Sequence, residues 1–317
     1  MGKPVQENSS ISISENGLQQ PASNKRLEVL KTYKIYIGGQ FPRTESGRYY
    51  VATNAKGEQL ANVCLSSRKD FRDAVVVARS AFKGWSKRAA FNRGQILYRI
   101  AEMLEGRKAQ FIGELINQDV SKAAAQKEVI TSIDRLIWYS GWCDKYQQIF
   151  GTVNPVASSH FNFSVPEPTG VVAAIAPQDT SLLGLVSVIA PAIAGGNSCI
   201  VLASETKPLC SITFAEVLNS SDVPGGVVNI LTGKTSELAK EFASHMDVNA
   251  VVYCGDDELI QKELQTRGAS NVKRIVVHKN IYWPGAQGQS PYFILDTQEI
   301  KTTWHPIENI GGGGGGY

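Results

Sequence analysis

The stretch EPTGVVAAIAPQDTSLLGLVSVIAPAIAGGNSCIVLASETKP, residues 167–208, decides the fold. It opens with the apolar run 171–176, which Pro177 closes. A short run of this kind predicts a strand that is buried on both faces. Residues 182–194 place apolar side chains three and four apart, as on one helical face, and residues 198–202 form a second apolar run. Strand, crossover helix and parallel strand make the unit of an open α/β nucleotide-binding sheet.

The order of motifs within this stretch is more specific than its periodicity. The chain reads EPTGVV, then P-x-x, then IAPAIAGGN and finally SE-x-x-PL. This series resembles the cofactor domain of the aldehyde dehydrogenase superfamily, where a strand is followed by PWN, a helix ending in PAL-A-GN, a strand and KPSE. The resemblance implies an α/β fold, a doubly wound and mainly parallel Rossmann-like sheet with a projecting β oligomerisation arm.

The chain divides into segments along its length. The interpretation is a disordered tail or linker over 1–31, an aldehyde-dehydrogenase-like cofactor domain over 32–152 and 166–297, oligomerisation strands over 153–165 and 298–308, and a flexible Gly-rich end over 309–317. Within the cofactor domain, residues 122–150 are predicted to form one long helix. In the first arm segment, Phe161 and Phe163 alternate with Asn162 and Ser164, which predicts a half-buried strand.

The end of the cofactor domain departs from the family pattern. A full-length member continues through E-L-G-G-K-S-P into a catalytic domain. Here residues 288–291 resemble G-K-S-P, yet residues 298–304 already resemble the family's C-terminal strand Y-T-E-V-K-T-V. The catalytic domain is therefore predicted to be missing as a block. A fainter resemblance points to the C-terminal, non-catalytic half of the two-domain aldehyde dehydrogenases of family 16.

The residues at the family's catalytic positions do not suit its reaction, which needs a nucleophilic thiol, an oxyanion donor and a general base. No cysteine follows Cys254, and Cys254 itself is expected to be packed rather than reactive. Asp179 stands at the oxyanion position, where a carboxylate would repel the developing charge, and the alternative role is the N-cap of the next helix. His278 stands at the position of the base and could serve as one, or be a surface residue.

The cofactor positions are partly kept. The resemblance assigns Glu205 to the ribose, and Gly233 and Gly255 to the two glycine turns of the dinucleotide site. We treat these three residues as a vestigial site for NAD or NADP.

The remaining cofactor positions are replaced. Leu202 stands where the family has the Lys of KPSE, and Ile260 replaces the second glycine of G-S-T-x-x-G. Asp256 and Asp257 replace the Ser-Thr of that motif, which holds pyrophosphate at a helix N-terminus. Carboxylates there satisfy the helix dipole and repel phosphate. Binding of NAD or NADP is therefore expected to be weak or lost.

Composition limits the possible partners and location. The 317 residues are 43% hydrophobic and 19% charged, with a net charge of +3, as in soluble globular proteins. No Lys/Arg block indicates nucleic acid, no apolar run has the length of a membrane span, and no signal-peptide h-region stands at the N-terminus. The five scattered cysteines show no metal spacing. We therefore expect a cytoplasmic protein without nucleic acid, membrane or metal partners.

Two functions from different classes agree with these observations. The first is a catalytically inactive structural or assembly module of the aldehyde dehydrogenase family, which forms a homodimer or pairs with a full-length aldehyde dehydrogenase through its arm. The alternative is an NAD(P)-dependent oxidoreductase that acts on the aldehyde group of donors, with a thiol supplied by a partner or with unusual residues. The unpaired edges of the predicted arm favour association in either case.

Overall fold

The fold is built on a five-stranded parallel sheet made from the predicted apolar runs. The computed structural model describes residues 29–307, so the predicted Gly-rich end and most of the predicted tail lie outside the described residues. In chain order the elements are β1 (Thr32–Tyr33), β2 (Tyr49–Thr53), β3 (Gln59–Cys64), α1 (Arg68–Ser86), α2 (Ala90–Gly106), α3 (Lys108–Asn117), α4 (Lys122–Ser140), α5 (Tyr146–Phe150), β4 (Thr152–Asn154), β5 (His160–Pro168), β6 (Val171–Ile175), α6 (Leu183–Ala194), β7 (Ser198–Leu202), α7 (Leu209–Asn219), β8 (Val228–Leu231), α8 (Thr235–Ser244), β9 (Ala250–Cys254), α9 (Glu258–Gly268), β10 (Arg274–His278), α10 (Tyr292–Leu295) and β11 (Gln298–Pro306).

The central sheet has the strand order β10-β9-β6-β7-β8, and every pair in it is parallel. All residues of β6, β7, β8 and β9 are buried, while every residue of β10 is only half-buried. One hydrophobic cluster takes in α2, α4, α6 and α7, and a second takes in α1, α8 and α9. Helices thus cover both faces of the sheet, which confirms the doubly wound α/β prediction.

The helix at the centre of residues 167–208 is buried on all sides. Every residue of α6 is buried, because α6 packs between the sheet and α4. Gly196 takes a φ of +87° directly after the helix, a backbone conformation that glycine adopts cheaply, and so lets the chain turn into β7. The predicted strand, helix and parallel strand are confirmed.

The predicted helix over residues 122–150 is wrong as a single element. It is interrupted after Ser140, and the short α5 begins only at Tyr146. The backbone tightens there because Trp142 N–H donates to Tyr139 O over 3.1 Å and Cys143 N–H donates to Ser140 O over 3.4 Å, which are bonds of three-residue spacing. The turn buries Cys143.

Three antiparallel strands in the order β11-β5-β4 form the arm. β11 pairs with β5 along its whole length, from Gln298 opposite Pro168 to Pro306 opposite His160. None of the helices within residues 29–307 is both long and apolar enough to cross a membrane.

The buried face of β5 is the polar one, whereas Phe161 is 45% exposed. Asn162 and Ser164 are buried, and Asn154 Nδ2 donates to Asn162 Oδ1 over 2.6 Å and to Ser164 Oγ over 2.9 Å. Ser164 Oγ and Thr302 Oγ1 are 2.7 Å apart across the strands. A ladder of polar side chains therefore holds the arm together and leaves apolar side chains outside.

Candidate functional site

A cleft of about 630 Å³ opens at the carboxyl ends of the parallel strands. This is the place where open α/β sheets bind ligands. Eight of the residues that the sequence analysis assigned to the site line it, namely Asp179, Glu205, Cys254, Gly255, Asp256, Asp257, Ile260 and His278. Gly233 is absent from the lining, and Leu202 is fully buried at the end of β7, so its side chain does not reach the cleft.

The lining of the cleft is acidic. Four carboxylates contribute to it, from Asp179, Glu205, Asp256 and Asp257. No Lys or Arg of the described residues lines it. Within residues 29–307, no three His, Cys, Asp or Glu side chains are arranged to hold a metal ion.

The N-terminus of α9 is closed by its own residues. Asp257 Oδ1 accepts from Leu259 N–H over 2.8 Å and from Ile260 N–H over 3.2 Å, as an N-cap does. Asp257 N–H donates to the Tyr253 hydroxyl over 3.2 Å. The amide groups with which the family motif binds pyrophosphate therefore already have acceptors.

The N-terminus of α6 is closed from a distant helix. Glu128 on α4 accepts at one carboxylate oxygen from the N–H groups of Ser181, Leu182 and Leu183, over 3.0, 2.8 and 3.2 Å. The interpretation of Asp179 as the N-cap is therefore wrong: its side chain is exposed, and its carbonyl accepts from Lys207 Nζ over 2.7 Å. Sequence reasoning missed Glu128, because no local signal connects it to this helix.

A third carboxylate closes the N-terminus of α8. Glu205 Oε2 accepts from Thr235 N–H over 3.3 Å. Glu205 is itself held in place, since its N–H donates to Gln178 Oε1 over 2.7 Å. Three helix N-termini at this edge of the sheet thus share one feature, a carboxylate from the chain itself where an anionic ligand could otherwise bind.

Cys254 is the one cysteine among the described residues of the cleft lining, and it is buried at the end of β9. Burial raises the pKa of its thiol well above the usual range, and the nearby Asp179 carboxylate raises it further. The other four cysteines are also buried and free. Because the thiolate is the nucleophile, this site holds a protonated, inert thiol.

His278 ends β10 and is not the surface residue considered as an alternative, since its side chain is only 13% exposed. Its ring centroid lies 4.6 Å from that of Phe293, and its Nε2 lies 3.7 Å from Asp296 Oδ2. Burial lowers the pKa of His278 and raises the pKa of Asp296 to about 6. The imidazole is therefore neutral at pH 7, and its Nε2 faces the Asp296 carboxylate.

The connection from β10 to β11, residues 279–297, is anchored to the helices of one face. The buried Arg135 on α4 donates to Ser187 Oγ and, over 2.8 Å, to Trp283 O. The Tyr139 hydroxyl donates to Ser290 O over 3.1 Å. This short packed segment stands where the sequence pattern predicts that the catalytic domain is missing.

The fold and cleft define an open α/β domain of the dinucleotide-binding type. The family model described as "Aldehyde dehydrogenase family" matches residues 41–303, and the chain belongs to this family. It is 31% identical over 260 residues to omega-crystallin of Enteroctopus dofleini, which covers 80% of this chain and 51% of the relative. It is 31% identical over 287 residues to retinal dehydrogenase 2 of Mus musculus, covering 88% and 53%.

Solved structures give the same result. PnpE from Pseudomonas sp. WBC-3 superimposes with a TM-score of 0.73 at 26% identity, over 78% of this chain and 50% of PnpE. A second structure of PnpE is a complex with nicotinamide adenine dinucleotide. The chain spans about half the length of these relatives. The resemblance to part of an aldehyde dehydrogenase is thereby confirmed.

Proposed function

We propose that this chain is a catalytically inactive structural or assembly member of the aldehyde dehydrogenase family. It pairs through its arm with a second copy or with a complete aldehyde dehydrogenase. The observation that carries the proposal is the environment of Cys254, a buried thiol whose pKa is raised by burial and further by the Asp179 carboxylate. A cytoplasmic location remains a prediction.

The chemistry of the cleft supports inactivity. Thiohemiacetal formation needs a thiolate, and both burial and a neighbouring negative charge disfavour it at Cys254. The developing oxyanion would need a hydrogen-bond donor, whereas Asp179 offers acceptors only. His278 stands opposite Cys254 in the pairing of β10 with β9, but its Nε2 lies 3.7 Å from Asp296 Oδ2, and the buried, protonated Cys254 thiol leaves it no thiolate to pair with.

The cleft does not fit the pyrophosphate of a dinucleotide. The N–H groups of Asp257, Leu259 and Ile260 at the start of α9 already donate within the chain. Each carboxylate at about 4–6 Å repels a phosphate charge by roughly 1 kcal/mol even at the dielectric constant of bulk water. We therefore infer that binding of NAD or NADP is weak or lost.

The arm supports assembly. Val153 and Phe161 are exposed on one face of it, and Ile300 and Trp304 on the other. Among the described residues, the outer edges of β4 and β11 have no partner strand. A small ribbon of this kind is marginal in water by itself, and free edges together with exposed aromatics favour a partner.

The second candidate is an NAD(P)-dependent oxidoreductase whose thiol comes from a partner. It is favoured by family membership and by the size of the cleft, which is that of a small-molecule site. It predicts turnover only when the partner is present, so a single assay distinguishes the two candidate functions.

The test is aldehyde oxidation by the purified chain with NAD and with NADP, over a panel of aldehydes. We expect no turnover. Cys254→Ala is the variant and Cys199→Ala, a fully buried thiol within β7, is its matched control. Turnover that is lost in Cys254→Ala and kept in Cys199→Ala would contradict the proposal. Activity that appears only on adding a complete aldehyde dehydrogenase that keeps its thiol but is disabled in its own cofactor binding would favour the second candidate.

A further inference from the structure

The two edges of the central sheet differ. At the β8 edge, Tyr36 closes the sheet, because its N–H donates to Ile230 O over 2.9 Å and Ile230 N–H donates to Tyr36 O over 2.8 Å. At the other edge, β10 pairs only with β9 within the part of the chain that the structure describes. Among residues 29–307, only the β10 edge of the central sheet is therefore open.

The β10 edge lacks the features that usually protect such strands. Its sequence RIVVH contains no proline and only one residue, Arg274, that is always charged. A groove of about 570 Å³ runs beside it, with Val276, Leu295 and Ile300 among its apolar lining. Natural edges are normally protected by lysines, prolines, bulges or a covering element, so an apolar open edge indicates a partner strand.

The direction of the backbone groups is fixed by the pairing with β9. Arg274 N–H donates to Asn249 O over 3.2 Å, so the backbone N–H and C=O groups of Arg274 point toward β9. Since neighbouring residues of a strand alternate, the N–H and C=O groups of Ile275 and Val277 point to the open side. The edge thus offers two donors and two acceptors, centred on Val276.

The charges beside β10 complement a second copy of the same edge. Arg274 stands at one end of the strand, where its guanidinium donates to Glu299 Oε1 of the same chain over 3.1 Å at a solvent-exposed ion pair, and Asp296 lies 3.7 Å from His278 at the other end. In an antiparallel pair centred on Val276, Arg274 of each copy comes beside His278 and Asp296 of the other copy. The same pairing sets Ile275 opposite Val277, so all four open backbone groups of each copy are satisfied. A two-fold interface requires this self-complementarity.

We propose that β10 pairs antiparallel with β10 of a second copy about a two-fold axis at Val276. The two central sheets then form one continuous sheet. This inference rests on the proposed function only in that both concern assembly of the chain. The β10 interface does not involve the arm, so it persists if the arm has no partner.

The first test is a disulfide at the axis. Val276→Cys places two thiols directly opposite each other in a non-hydrogen-bonded pair, at a Cα separation that suits a disulfide. The native cysteines are buried and do not compete. Under mild oxidation we expect Val276→Cys to form covalent dimer at least tenfold faster than Ile275→Cys, a control one residue from the axis and on the other face. Equal rates, or no covalent dimer from Val276→Cys, would overturn the pairing.

The second test needs no variant at the interface. Hydrogen exchange of the Ile275 and Val277 amides in the wild-type chain should slow as protein concentration rises. The arm variant Phe161→Lys should show the same slowing as the wild type at each concentration. Exchange that is fast at every concentration would overturn the pairing. Loss of the concentration dependence in Phe161→Lys alone would also overturn it, since the protection would then come from the arm.

Discussion

The cleft and the arm differ in which of their groups already have partners within the chain. In the cleft, the helix N-termini are satisfied by carboxylates of the chain itself, from Glu128, Glu205 and Asp257. In the arm, the polar side chains are paired inside, and Phe161 and Trp304 remain about half exposed, at 45% and 56%. The groups that could bind a small ligand are used internally, while those that could bind a protein remain available.

A family fold keeps its cleft shape even when the chemistry of its lining changes, so shape alone is a poor guide. Hydrogen-bond satisfaction separates the two regions more clearly, because a group that already has its partner gains little from a ligand.

Removal of the carboxylate that closes α6 should have the largest effect. Glu128→Ala leaves three buried N–H groups without an acceptor, so we expect a loss of about 3 kcal/mol in the free energy of unfolding. Urea unfolding measures it. Lys127→Ala, an exposed neighbour on the same helix, should change stability by less than about 0.5 kcal/mol. A loss no larger than that control would show that Glu128 does not close the helix.

A charge on the exposed face of the arm should weaken association. For Phe161→Lys we expect the dissociation constant of the arm-mediated complex to rise about 100-fold, or about 2.7 kcal/mol, because an apolar contact becomes a buried charge. Sedimentation velocity over a concentration series gives this value. Phe91→Lys is the matched control, since Phe91 is 65% exposed and lies outside the arm. Equal weakening by both variants would remove the arm from the interface.

Neutralising the cleft should restore some affinity for the dinucleotide. Wild-type protein is expected to bind NAD more weakly than micromolar. Asp256→Ser with Asp257→Thr removes two charges and keeps an N-cap oxygen, so binding should tighten at least tenfold, or about 1.4 kcal/mol.

Calorimetry checks this, with Glu258→Gln as the control, because Glu258 is a largely exposed carboxylate of the same helix. A micromolar or tighter wild-type affinity would contradict the closed cleft.

The smallest effect should come from Asp296. Burial raises its pKa to about 6, so the folded state favours the protonated carboxyl. The contribution of Asp296 to the free energy of unfolding is therefore complete below the unfolded-state pKa of about 4 and is lost as pH rises through about 6. Asp296→Asn stays neutral, so in dilute protein the variant should be more stable than wild type by about 1 kcal/mol at pH 7, a value reduced for partial exposure. The gain should disappear at pH 4. Thermal unfolding at both values measures it, and an equal difference at both would disprove the shift.

The sequence predicted the elements that depend on local pattern. The strands β6 and β7 with α6 between them follow directly from apolar spacing and the glycines at 195 and 196. The cleft residues Asp179, Glu205 and Cys254 could be placed together, because the carboxyl ends of parallel strands meet at one edge.

The features that the sequence did not predict depend on distant contacts. Glu128 closes α6 from more than fifty positions away along the chain, and nothing near it signals that role. The inward orientation of Asn162 and Ser164 depends on Asn154 and Thr302, two residues on other strands. Alternation shows that a strand has two different faces, but the face that is buried is decided by its neighbours.

We propose that the chain retains its assembly surface and has lost its cleft chemistry. The most direct test is sedimentation equilibrium of the wild-type chain, alone and mixed with a full-length aldehyde dehydrogenase from the same cells, at micromolar concentration. We predict a mass above that of one chain in at least one of the two samples, with Phe161→Lys lowering it. A chain that sediments as a monomer in both samples, across the whole concentration range, would show that the arm is not an assembly surface.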